Sequence, residues 1–144
     1  MTDLSLATAQ TILSAVLNAA REKNLKPLSV AIYDARGALR AAASEDGTSL
    51  KRAEIAMAKA YGSLALGVGS RAVHKMALDR PYFVAAATHA VGGQLMPAPG
   101  GVLIKDPQGG ILGAVGVSGD TSDNDEAAAA AGIEAVGLVF DAGA

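Results

Sequence analysis

With 144 residues, a net charge of −2, 3% aromatics, no Trp and no Cys, the chain (1–144) has the size of one α/β domain that buries its core without a metal or disulfide prop. No cluster of Lys and Arg gives it the electrostatic footprint of a nucleic-acid binder, and the missing thiols exclude disulfides, thiolate metal sites and a cysteine nucleophile. The opening MTDLSLATAQ has neither a basic start before a long apolar run nor a membrane-spanning stretch, so a soluble, cytoplasmic protein without membrane partners is expected.

Ala9, Ile12, Leu13, Val16, Leu17 and Ala20 recur at helical spacing behind Ser5, an N-cap residue type, and predict a first helix over about Ser5 to Lys23. Pro27 bars its continuation. In LSVAIYDARGALRAAAS, Leu28, Val30 and Ile32 alternate with Ser29, Ala31 and Tyr33 before Asp34-Ala35-Arg36-Gly37, which predicts a hairpin.

From Ser49 the positions Leu50, Ala53, Met57, Ala60, Tyr61 and Leu64 return to a helical period, with Arg52 and Lys59 off that stripe. Two short helices follow, SRAVHKMALD with Ser70 as its cap and PYFVAAATHA opened by Pro81. GGQLMPAPGG cannot continue a helix, and its glycines let backbone pass close to a neighbour.

GVLIKDPQGGILGAVGVSG predicts a second hairpin turning at Asp106-Pro107-Gln108-Gly109. Ser122 and Asp125 form a capping box for a last helix expected to run to about Phe140, with Asp123 and Glu126 adding charge that suits its N-terminus. Gly113, Gly116 and Gly119 fit a helix lying close on the sheet better than a phosphate cradle, because the acids beside the turn would repel phosphate. Two tight hairpins make the sheet chiefly antiparallel, covered by helices. A core of small residues also favours contacts between subunits.

Four of these pieces resemble, in order, the haem-degrading domain family that includes the HbpS-type haem-binding and GlcG-like proteins. They are SVAIYDARGAL, AEIAMAKAYGSLAL, PGGVLIKDPQGGILGAVGVSG and DEAAAAAGI. The resemblance covers nearly the whole chain. It implies an α/β (α+β) domain with a profilin-like antiparallel sheet and a homo-oligomer, an octamer by family likeness. A related domain is fused to PduO-type corrinoid adenosyltransferases. Some members of the family bind or degrade haem, and others sit among genes of small-molecule catabolism, so the fold by itself does not choose between these functions.

Two readings of function follow. The first is a cofactor-free isomerase or lyase that moves a proton on a small carboxylate or carbonyl compound. His89, placed shortly before Gly92-Gly93 and MPAPGG, is its acid or base, since an imidazole titrates close to neutral pH. Lys59 binds or polarises an anionic group, or acts as a base if desolvated. Arg52 and Glu54 are supporting charges, and the ligand is expected between the Pro99-Gly100-Gly101 loop, the second long helix and the segment ending at His89. Gly100 and Gly101 offer backbone contacts, and Ser118 with Gly119 further donors. The second reading is a haem protein. His74 and His89 are then the imidazole ligands and Tyr61, Tyr82 and Met96 weaker ones, while the first helix carries no histidine, offering Asn18 and Asn24 instead. A non-catalytic structural or regulatory subunit is the third possibility. No metal site is expected, because the histidines lack the spacing of a zinc motif and the acids near Asp120 are explained by capping.

Overall fold

The computed structural model describes residues 3–144. Helix α1 (Leu6–Glu22) leads into strands β1 (Ser29–Asp34) and β2 (Leu39–Ser44), followed by helices α2 (Arg52–Leu66), α3 (Ser70–Asp79) and α4 (Pro81–Ala90). Strands β3 (Gly101–Lys105) and β4 (Ile111–Ser118), helix α5 (Ser122–Ala135) and strand β5 (Val139–Asp141) complete the chain. All strand pairs are antiparallel, in the order β2-β1-β4-β3-β5. No described helix is long and apolar enough to cross a membrane.

Strand alternation divides the molecule into layers. Val30, Ile32, Val102, Ile104, Val115 and Val117 enter one core, closed by α1 and α5 through residues such as Ile12, Val16, Ala129 and Ile133. Ala31, Tyr33, Leu103 and Ala114 face the other way, beneath Ala56 and Ala60 of α2. Helices α3 and α4 form a smaller cluster around Val73, Val84, Ala87 and Leu95.

Both tight turns form as expected. Gly37 N–H donates to the Asp34 carbonyl and Gly109 N–H to the Asp106 carbonyl, each at 3.0 Å. Each hairpin has a bulge near its turn. The register passes over Arg40 in β2 and Leu112 in β4; Arg40 Nε reaches Asp34 Oδ2 at 3.0 Å, and Leu112 joins the α1–α5 core. Ser5 caps α1, accepting from Thr8 N–H at 3.1 Å.

Five expectations are corrected. Helix α2 begins at Arg52, and Leu50, placed on its apolar stripe, is 87% exposed. The face that α2 lays on the sheet is Ala56, Lys59, Ala60 and Ser63, because Gly101 and Gly116 beneath let the helix backbone come close there; Met57, Tyr61 and Leu64 pack on its flanks, half-buried. Helix α5 stops at Ala135, not near Phe140: Gly137 takes φ +74°, and the chain turns into β5, which pairs with β3.

The cap of α5 is Thr121, accepting from Asn124 N–H at 3.2 Å, so Ser122 and Asp125 form no capping box. Ser70 is likewise no cap. It is the first residue of α3, buried, with its Oγ donating to the Ala98 carbonyl at 2.6 Å and accepting from Gly101 N–H at 2.7 Å.

Candidate functional site

The proline-glycine loop, residues 97–101, is tied to three elements. Ser70 holds it from α3, Val117 N–H donates to the Gly100 carbonyl at 2.9 Å from β4, and Gly100, at φ +127°, lies so near α2 that a Cβ there would come within 2.8 Å of Lys59 Nζ. Two of the backbone groups read as ligand contacts are spent on the fold, the Gly100 carbonyl on Val117 and the Gly101 N–H on Ser70.

Beside this loop is a cavity of about 500 Å³ between Pro97–Pro99, Arg71 and His74 of α3, and Thr121–Asp123 at the start of α5. Arg71 and His74, three residues apart, share one face of α3. The ring nitrogen Nδ1 of His74 lies 3.1 Å from the Pro97 carbonyl. A carbonyl only accepts, so Nδ1 carries the hydrogen, and in the neutral ring the lone pair is then on Nε2. Arg71 bridges the rim, donating from Nε to Glu126 Oε1 at 2.9 Å and from Nη2 to Asp123. These bonds push its pKa further up, Glu126 contributing most.

His89 does not line this cavity. It is exposed in the last turn of α4, as is Tyr82 in the first turn of the same helix. The loop was legible in the sequence, but its crevice was expected against α2 and the segment ending at His89; the cavity lies instead against α3 and the start of α5, and the imidazole on it is His74, because the packing of α3 and α4 on each other decides which helix meets the loop.

Lys59 and Asp125 form a buried ion pair where the sheet ends. Lys59 Nζ donates to Asp125 Oδ2 at 3.2 Å and to the Val117 carbonyl at 2.9 Å, with the residues 3% and 1% exposed. Asp125 Oδ1 accepts from Asp120 N–H at 2.9 Å. Burial pushes the Lys59 pKa down and that of Asp125 up, and their mutual attraction opposes both shifts. Lys59 lines neither the loop cavity nor the one around Arg52. Its position braces α2 against α5.

That other cavity, about 290 Å³, lies between Lys26–Pro27, Gly47–Ser49, Arg52 and Gly119. Arg52 Nη1 donates to the buried Ser118 Oγ at 2.9 Å. Glu54 points elsewhere: it is exposed and pairs with Lys51 at 2.9 Å, a bond that lowers its pKa. The segment from Ser118 to Asp123 thus partitions two cavities, Gly119 on one and Thr121–Asp123 on the other. Its joint is stiffened by Asp120, whose carboxylate accepts from Lys26 N–H, Asn124 Nδ2 and Thr121 N–H and is held down to about 2.

The remaining expected ligand residues are dispersed. Tyr61 sits edge-on to Tyr33, with ring centroids 5.8 Å apart, beside a small cavity at the β1–β2 turn. Met96 is half-buried in the loop, and Pro99 is buried on the His74 cavity. His74 was named as an imidazole ligand in the haem reading, but its neighbour Arg71 and the Asp125 partner of Lys59 were not singled out as site groups. The first pair is visible as an i, i+3 spacing; the second joins residues too far apart in the chain to show any spacing.

Over residues 4–134 the sequence matches the family model described as haem degrading protein HbpS-like. The chain belongs to the HbpS-like family. Solved structures share its fold. The PduOC–haem complex aligns with TM-score 0.83 at 21% identity, covering 94% of this chain and 96% of that one. Klebsiella pneumoniae ORFY gives 0.81 at 23% identity over 93% and 90%, and a doubly substituted HbpS from Streptomyces reticuli gives 0.80 at 23% over 94% and 88%. No curated protein matches the sequence. Within this HbpS-like fold α1 contains no histidine; the two imidazoles of the chain lie on α3 and α4.

Proposed function

We propose that this chain is a haem-binding protein of the HbpS-like family, in which His74 would hold the haem iron at the cavity beside the proline-glycine loop. The observation that carries this is the tethered imidazole: Nδ1–H held by the Pro97 carbonyl, Nε2 free at a cavity of about 500 Å³. A hydrogen bond from the non-ligating nitrogen to a backbone carbonyl is the support that fixes tautomer and ring direction in histidine ligands. Pro97, Ala98 and Pro99 give the cavity an apolar wall. Bound haem supplies iron redox and oxygen chemistry. The chain's own part is to hold the iron from one side and exclude water with the loop.

Cofactor-free proton transfer on a small carboxylate or carbonyl compound is supported less. Burial makes the Lys59 ammonium easier to deprotonate, but that ammonium is committed to Asp125 and Val117, and neither it nor His89 reaches the loop cavity. The homo-oligomer belongs to this proposal as well. Leu78, Tyr82 and Phe83 form an exposed apolar surface on α3 and α4 that a second copy would cover.

Haemin titrated into the purified protein is expected to give a shifted Soret band that saturates at a fixed ratio to protein. The shift should be lost in His74→Ala and kept in His89→Ala. A wild-type protein without saturable binding, or a His74→Ala spectrum like the wild type, overturns the assignment.

A further inference from the structure

We propose that the cavity around Arg52, separate from the His74 cavity, binds a small organic carboxylate. The argument begins with how the arginines are spent. Arg21, Arg36, Arg40 and Arg71 each pair with a carboxylate, and Arg80 lies over the Phe83 ring at 4.8 Å. Arg52 alone has neither partner among the described residues. Its one hydrogen bond, to the buried Ser118 Oγ, fixes the guanidinium but leaves most of its N–H donors unspent.

Nearby acids do not fill the gap. Asp125 serves Lys59, Glu45 serves Arg21 and the Leu28 N–H, and Glu54 serves Lys51. The cavity lining itself contains two cations, Arg52 and Lys26, and no acid. A half-buried guanidinium without a counter-ion, facing about 290 Å³ of free space, attracts an oxyanion that accepts from its planar fork. That volume is at the lower end for ligand sites, which selects a small molecule. The Ser49 hydroxyl, on the same lining and without a hydrogen-bond partner among the described residues, provides for a second polar group on the ligand.

Charge selects a carboxylate over phosphate. The ionised Asp120 adjoins Gly119 and accepts from the Lys26 N–H at 2.8 Å, so negative charge already stands at the edge of the cavity. Arg52 and Lys26 against Asp120 leave a single net positive charge, which a monoanion balances and a dianion exceeds.

The test is a titration of ¹⁵N-labelled, haem-free protein with sodium acetate, sodium propionate or inorganic phosphate at constant ionic strength, with sodium chloride as reference. Acetate and propionate are expected to shift the Ser49 and Gly119 amides and the Arg52 Nε–H saturably. Affinity should fall about tenfold or more in Arg52→Gln and by a smaller factor in Lys26→Gln. Arg52→Lys, which keeps the charge but loses the fork, is expected to bind weakly and replaces the Gln variant if that one does not fold. Non-saturating shifts, equal affinity in the Arg52 variants, or phosphate binding more tightly than the carboxylates overturns the proposal. The haemin titration of Arg52→Gln should match the wild type, so either site can fail without the other.

Discussion

Lys59→Met is expected to lower the free energy of unfolding by about 3–5 kcal/mol, because it leaves the Asp125 carboxylate buried without its cation. Asp125→Asn should cost a similar amount from the other side. The double variant Lys59→Met, Asp125→Leu is expected to recover most of the loss, since removing both charges also removes the desolvation cost that each incurs inside the protein. Urea unfolding of the four proteins measures this; a single variant within about 1 kcal/mol of the wild type, or a double variant as unstable as the singles, would show that the pair does not act as a unit.

The pH dependence of the Lys59→Met loss has a definite sign. Burial already raises the Asp125 pKa in the wild type, and removing Lys59 takes away a group that lowers it. A folded-state pKa above the unfolded one means the native state holds the proton more tightly. That contribution is full below the ordinary carboxylate pKa and is lost as pH rises through the folded value. Lys59→Met is therefore expected to lie closer to the wild type at mildly acidic pH than at neutral pH. The brace also has a local reach. Gly100 packs on the Lys59 side chain and Asp125 holds the Asp120 N–H, so its loss loosens the loop and the joint that bound the His74 cavity.

Features fixed by neighbours in the chain were legible in the sequence. The Asp34–Gly37 and Asp106–Gly109 turns, the Ser5 cap and the Pro81 start of α4 each depend on a few adjacent residues, and each formed. What could not be read depends on distant partners. The buried face of α2 is chosen by glycines on two other strands, which turn a helix of apparent Leu-Met-Tyr amphipathicity onto its Ala-Lys-Ser side. Strand β5 has three residues and exists through its pairing with β3, so no alternation of its own announces it. Asp125 looked like a capping acid because the acid-rich turn accounted for it locally. Its true partner lies on a helix across the sheet. The choice of His74 over His89 has the same origin, since both follow the same rules of helical spacing and only the docking of α3 against the loop separates them.

Gly116→Ala is expected to destabilise the protein by about 3 kcal/mol or more, at the upper end for an overpacked core. Gly116 pairs with Ala31 of β1 and Gly101 of β3, and this row of small residues is the floor on which α2 rests. A methyl at Gly116 would overlap the Ala56 carbonyl oxygen, and one at Gly101 would overlap the Lys59 carbonyl and the Ser63 hydroxyl. Backbone does not swing aside as a side chain does, so the helix itself must lift. In an open strand the same replacement would stabilise, by restricting the unfolded chain; here the sign is reversed by the helix above. Lifting α2 also draws Arg52 from Ser118 and Lys59 from Val117. Gly116→Ala should therefore weaken acetate binding at the Arg52 cavity along with stability. A variant with wild-type unfolding in urea would mean that α2 does not lie on this glycine floor, and the geometry assigned to Arg52 would go with it.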